Sequence, residues 1–276
     1  MRYLGVFVLC LLSSFGFAQN NAKQLYEEGK YKEAAAAFKE VLKQKPDDYT
    51  FQFGYANSLH KLELFKKAIQ QYNIAEKLNR EDAELFFNRG AALVFVNLYK
   101  KALKDFNKSI ELNNNKAEVH YFKGYCNYEL SRYNAAIKSY TKAIEINPDY
   151  AAAIYNRGAA KAELKNFEGG AEDFEAALAK NPELENGRMN IALSKLARDQ
   201  LEGAIKDFDL VIEKRDENLA KAYFYRGEAY YELNNKEKAC DDWLKSSNLG
   251  YDKGKSNIED FCGSVTKPRR KIEVVF

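Results

Sequence analysis

Apolar residues along this chain recur three and four positions apart in runs of about a dozen, the period of a helix rather than that of a strand. Short polar turns separate the runs. The runs themselves return at a fixed interval, most visibly in FFNRGAAL (86–93), HYFKGYCNYEL (120–130), IYNRGAAKAEL (154–164) and YFYRGEAYYEL (223–233). Gly90, Gly124 and Gly158 are spaced 34 residues apart. Three further tracks keep the same step: Tyr31, Phe65, Tyr99, Tyr133, Phe167 and Leu201; Ala34, Ala68, Ala102, Ala136, Gly170 and Ala204; and Phe38, Tyr72, Phe106, Tyr140, Phe174 and Phe208. After Leu201 the step slips by one residue, so the last copy carries Gly227, Ala239 and Trp243, and the extra residue belongs to the loop at 214–219, where insertions are tolerated.

Each copy predicts two short helices that cannot bury their apolar faces alone and therefore need a neighbour on either side. The glycine of the Arg-Gly pair falls where two helices must approach closely, which outweighs its cost of up to about 1 kcal/mol relative to alanine inside a helix. Phe106 and Phe174 fill the space between one pair and the next. The arginine beside the glycine needs a partner in an apolar segment. Arg89, Arg157 and Arg226 occur in the copies that carry Asp105, Asp173 and Asp242 just before the large aromatic of the second helix, whereas the copy with Lys123 has Ser139. An ion pair between the two helices of each such copy follows, structural in role.

With these tracks the chain resembles the tetratricopeptide repeat family. In the last copy the family pattern reads Tyr223, Arg226-Gly227, Tyr230, Ala239 and Trp243, and Pro46, Pro148 and Pro182 close three copies where a helix must stop. The resemblance implies an all-α, right-handed superhelical solenoid of about seven helix-turn-helix repeats, over residues 19–48, 49–82, 83–116, 117–150, 151–184, 185–219 and 220–250. A capping helix at 251–262 and a tail at 263–276 complete the expected organisation. Ile258 and Phe261 would cover the last repeat, with Lys255 and Glu259 outward. The tail carries a basic run, Lys267–Lys271, then Ile272, Val274, Val275 and Phe276; it reads either as a solvated end or as an extended apolar peptide that docks on a partner or folds back. Two copies depart from the pattern: the first is short, and the sixth has Asn186-Gly187 followed by Arg188, so its leading helix starts late.

The resemblance also implies a concave groove lined by the first helix of each copy and used for partner segments. Counting from the packing Gly or Ala, the groove-facing residues are Phe53, Phe87, Tyr121, Tyr155 and Phe224, then Asn88, Asn156 and Asn190, and later in the helices Tyr125, Tyr128 and Tyr231. Rings supply apolar area at small entropic cost, and amides can pair with a peptide backbone. The family's clamp for a C-terminal carboxylate needs lysines and asparagines where this chain has residues such as Gly54, Glu84 and Glu118, so that activity is not carried over.

Composition changes this picture little. Of 276 residues, 46% are hydrophobic and 30% charged, enough for a core and a solvated surface, and a formal charge of +3 gives no field that would select nucleic acid or an acidic membrane. The start is different: Arg2, an apolar run from Leu4 to Leu12 and the small-residue site Gly16-Phe17-Ala18 read as a signal peptide over residues 1–18. Export then predicts residence in the periplasm or envelope of a Gram-negative-type bacterium, with no membrane span once the signal is removed. Cys10 follows Val8 and Leu9, too bulky for a lipidation site. Of the remaining cysteines, Cys240 and Cys262 can pair if they sit on neighbouring terminal helices, or else be small buried thiols like Cys126. His60 and His120 stand on different copies, Gly254-Lys255-Ser256 lacks the earlier glycine of a phosphate loop, and no cofactor, metal or catalytic motif emerges. The function expected is a non-enzymatic scaffold that takes a protein or peptide segment in its groove; the alternative is a carrier whose tyrosines hold a cell-wall sugar.

Overall fold

The computed structural model describes residues 21–184, 186–214, 218–263, 272, 274 and 275. The expected leader and the basic run Lys267–Lys271 lie outside them. The described chain is helical, without a strand, and divides into two compact units that meet in sequence at Ser131 and Arg132.

The first unit contains α1 (21–27), α2 (Tyr31–Gln44), α3 (Tyr49–Lys61), α4 (Phe65–Leu78), α5 (Ala83–Phe95), α6 (Tyr99–Glu111) and α7 (Ala117–Glu129). Each helix from α2 onward packs on the next, and α3 touches α5 as α5 touches α7, so the first helices of successive pairs lie side by side. The second unit contains α8 (Tyr133–Ile146), α9 (Ala151–Glu163), α10 (Phe167–Lys180), α11 (Gly187–Ala197), α12 (Leu201–Glu213), α13 (Leu219–Glu232), α14 (Lys236–Asn248) and α15 (Asp252–Asn257), with a π-helical turn at Ile258–Cys262. Its helices follow the same sequential packing, and α11 also touches α13.

The aromatics Phe38, Tyr72, Phe106, Tyr140, Phe174, Phe208 and Trp243 are all buried, as are the small residues Ala34, Ala68, Ala102, Ala136 and Ala204. Fully burying one such ring stabilises the fold by about 1.5–3 kcal/mol. The glycine of the Arg-Gly pair is a close-approach position. A Cβ on Gly90 would lie 2.7 Å from the Phe106 ring, and one on Gly227 would lie 2.7 Å from Trp243.

A repeated feature of the turns carries no obvious letter code. The second residue past the end of each first helix is left-handed: Gly29, Glu63, Asn97 and Ser131 in the first unit, Lys165, Asp199 and Asn234 in the second. These positions step by the same repeat, with the one-residue slip before Asn234. Beyond them the chain closes a six-residue loop, with Leu64 N–H donating to Leu59 O at 3.0 Å and Leu98 N–H to Leu93 O at 2.9 Å. Such a closure caps the helix and turns the chain into its partner.

The late helix start in the sixth copy is seen as a left-handed Asn186 (φ 61°) before an α11 of 11 residues. Gly169 and Gly170 lie inside α10, whose start is held by the Asn166 side chain accepting from Gly169 N–H at 3.1 Å. At the C-terminal end, Phe261 is buried against Trp243 and Tyr231, Ile258 is half-buried, and Lys255 and Glu259 are exposed. A disulfide joins Cys240 of α14 to Cys262. The loop it closes, with a sequence separation of 22, corresponds to a stabilisation of roughly 3 kcal/mol.

Candidate functional site

The Arg-Gly pairs resolve into helix-to-helix locks. In α5 and α6, Arg89 Nε donates to Asp105 Oδ2 at 2.7 Å and its terminal nitrogen to Asp105 Oδ1 at 2.8 Å, while Gly90 meets Phe106. Arg157 grips Asp173 in the same two-pronged way at 2.9 and 2.7 Å, and Arg226 grips Asp242 at 2.7 and 2.8 Å. Two adjacent residues of one helix thus meet two adjacent residues of the next, one pair by charge and the other by contact. The arginines reach neighbouring helices too. Arg89 also bonds Asn73 and Glu76 of α4, and Arg226 also bonds Asp209 of α12. Burial holds the Asp105 and Asp242 carboxyls above the usual carboxylate range against the opposing pull of their arginines. Where the register lacks arginine the lock is rebuilt. Asp207 is held by Lys195 at 2.6 Å and Arg188 at 3.1 Å, and Gln71 takes a hydrogen bond from Gln52 at 2.8 Å. Ser139, standing in for aspartate, bonds the Ala135 carbonyl of its own helix at 2.9 Å. With their donors occupied, these arginines are structural.

In the first unit, α3, α5 and α7 present half-buried rings. Phe53 stacks on Tyr49 at 5.7 Å and leans on Tyr72. Phe87 sits between Phe106 and Phe122 at 6.2 and 6.0 Å. Tyr121 meets Phe122 edge-on, and Tyr125 meets Tyr99. Tyr128 is half-buried on the same helix. Among these rings lies an amide relay. Asn57 Oδ1 accepts from the Tyr72 hydroxyl at 2.7 Å and from Asn88 Nδ2 at 3.1 Å, while Asn57 Nδ2 makes no hydrogen bond among the described residues. His60, next to Tyr72, is pushed down to about 4 by burial and by nearby Lys61, so it is neutral near pH 7.

In the second unit the sequence-predicted residues divide. Tyr155 is half-buried against Phe174 and takes a hydrogen bond from Asn190 Nδ2 at 2.7 Å; burial pushes its hydroxyl up to about 12. Asn156 is half-buried on α9, and Tyr231 packs on Trp243 and Phe261. Two expectations need correction. Phe224 is only 3% exposed, enclosed by Tyr225 and Tyr251, and Asn190 is 7% exposed with its amide spent on Tyr155. Both support the surface from beneath rather than offering contact area. The helical periodicity placed them on the right helices, but Phe224 is covered by Tyr225 of its own helix and by Tyr251 at the start of α15, and Asn190 is turned onto Tyr155 of the preceding copy.

Sequence reasoning missed Tyr49, Asn57, Phe122, Tyr225 and Tyr251. Phe122 and Tyr225 occupy the register of Asn88, Asn156 and Asn190, so a ring replaces the amide there, a substitution readable once the track is drawn. Tyr49 precedes Phe53 by one helical turn, the spacing at which side chains touch. Among the described residues there is no group of three or more His, Cys, Asp or Glu able to hold a metal ion, and no helix is long and apolar enough to cross a membrane. The free thiol of Cys126 is buried, and burial, aided by Glu129, pushes it up to about 12, away from nucleophilic chemistry at neutral pH.

Pairs of antiparallel helices, locked at a small residue and offering rings and amides from successive first helices, define a repeat protein of the helix-pair class. Comparison with known families gives the particular one. Tetratricopeptide repeat families match residues 20–83, 83–116, 124–165 and 221–245, which together span more than half of the chain. The chain belongs to the tetratricopeptide repeat family, whose members bind protein or peptide partners. No curated protein matches it in sequence. Among solved structures it is similar to the C-terminal part of a repeat-containing protein from Cytophaga hutchinsonii (18% identity, TM-score 0.71, covering 87% of this chain and 98% of that one). It is also similar to a tetratricopeptide repeat protein from Parabacteroides merdae (19% identity, TM-score 0.62, 90% and 98%) and to MamA from Desulfovibrio magneticus (18% identity, TM-score 0.58, 61% and 95%). At these identities the likeness speaks for the fold.

Proposed function

We propose that the protein is a non-enzymatic scaffold that holds an extended segment of a partner protein against the first helices of its repeats, and that it acts after export, in the periplasm or envelope. The observation that carries this reading is the face of α3, α5 and α7, where half-buried rings surround an amide with an unused donor. A backbone carbonyl of an extended peptide can accept from Asn57 Nδ2, while its apolar side chains rest on rings whose two side-chain torsions leave little entropy to lose. Without a strong net charge, recognition rests on shape and on these few polar contacts. The disulfide between Cys240 and Cys262 supports the compartment, since such bonds persist where the surroundings are oxidising.

The test is capture from envelope extract by the wild type and by a variant carrying Asn57→Ala and Tyr121→Ala, each checked for an unchanged melting curve. The variant is expected to lose partners that the wild type retains. Equal recovery by two equally stable proteins would remove this face from the reading.

A further inference from the structure

The second unit carries an occupant of its own. Beyond the disulfide-anchored end of the helical array, Ile272 and Val274 pack against the terminal core cluster that includes Phe224, Tyr225, Trp243 and Phe261, with Tyr251 at its edge. Val275 N–H donates to the Tyr225 hydroxyl at 3.3 Å, while its own side chain is 56% exposed. Two β-branched side chains two positions apart thus face the protein and the residue after them faces away, the alternation of an extended segment. A backbone N–H reaching a side-chain acceptor on a first helix is the contact expected of a bound peptide. The receiving surface is prepared: Tyr225 stacks on Phe208 at 6.4 Å, Phe224 braces it from the side at 5.1 Å, and Tyr251 closes on Phe224 at 5.2 Å.

We propose that Ile272, Val274 and Val275 are a tethered stand-in for a partner, occupying a peptide-receiving face on α13, and that an extended segment with β-branched apolar residues at alternate positions binds this face in their place. The proposal rests on the reading that first helices receive extended segments and names the chemistry that one of them selects. A contact of so few residues is weak between separate molecules. Covalent attachment raises its effective concentration to the order of millimolar, which keeps the face filled and sets a threshold that a partner must exceed. Tyr225 is the specificity element, with a ring that supports the apolar side chains and a hydroxyl that accepts from the backbone.

The test uses a fluorescein-labelled synthetic peptide with the sequence of residues 270–276, titrated into the full chain and into the full chain carrying Ile272→Asp and Val274→Asp, which cannot keep its own segment seated. The expected result is saturable binding by the variant, at least about tenfold tighter than by the wild type. Adding Tyr225→Phe, which keeps the ring and removes the acceptor, should weaken the peptide several-fold without lowering the melting temperature. Equal affinity for wild type and variant, or no binding by either, would overturn the proposal. Because the probe is defined and reports on α13, this outcome is separable from failure of the capture experiment on α3, α5 and α7.

Discussion

At the scale of single residues, the arginines decide how neighbouring helices are held. Arg89 and Asp105 have side chains only 9% and 10% exposed, and each satisfies the other's charge through two hydrogen bonds. Removing one partner strands the other in a poorly solvated site, a loss of about 3 kcal/mol or more, while replacing both with apolar residues restores much of it. Arg89→Leu should therefore lower stability in denaturant titrations by roughly that amount, and the Arg89→Leu, Asp105→Leu double variant should be the more stable of the two; equal midpoints would show that the pair is not the source. The pairing was legible in the sequence because arginine and aspartate occur in the same copies. The further anchors were not: Asn73, Thr141 and Asp209 share one register but differ in residue type, and Glu76 stands outside it.

His60 gives a second residue-scale consequence. Its folded-state value of about 4 lies below the ordinary value near 6.5, so the unfolded chain takes up the proton first as pH falls. The stabilising effect of keeping it neutral is complete above pH 6.5 and is lost as pH falls toward 4, by on the order of 2 kcal/mol. The loss of stability between pH 7 and 4.5 should be smaller in His60→Gln than in the wild type by about that amount. A parallel loss in both proteins would contradict the assignment. Nothing in the sequence distinguished His60 from His120; its burial beside Tyr72, Phe65 and Phe95 is a property of three helices brought together.

At the scale of elements, the turns tell a similar story. The helices were readable because each buries a face whose residues recur at helical spacing, and the late start of α11 was readable from Asn186-Gly187. The left-handed residue just past the end of each first helix was not, because backbone geometry is imposed there on Glu63, Lys165 or Asp199 as readily as on Gly29 or Asn97. A left-handed conformation costs a residue with a side chain about 1–2 kcal/mol, and glycine's extra freedom in the unfolded chain returns roughly 0.5–1 kcal/mol of that. Glu63→Gly should therefore stabilise the protein by about 0.5–1 kcal/mol, read as a higher denaturation midpoint, whereas a lower midpoint would mean that the Glu63 side chain makes a contribution of its own.

At the scale of the whole molecule, the repeat step fixed the fold class, and the solved structures with TM-scores of 0.71 and 0.62 agree with it. The site was legible in outline only. The first helices and their aromatic register were predicted, but which side chains remain reachable depends on contacts with other helices, and that is why Phe224 and Asn190 fall inside while Tyr49 and Asn57 stay half-buried. Ile272 and Val274 return to the core of the second unit, which the sequence does not decide, because a short apolar segment carries no sign of whether it seeks its own chain or another. The central claim, that first helices receive a partner's segment, is tested most directly by hydrogen exchange on the full chain, free and with its captured partner. The account predicts slowed exchange in α3, α5 and α7; slowing confined to α4 and α6, with those three helices unchanged, would contradict it.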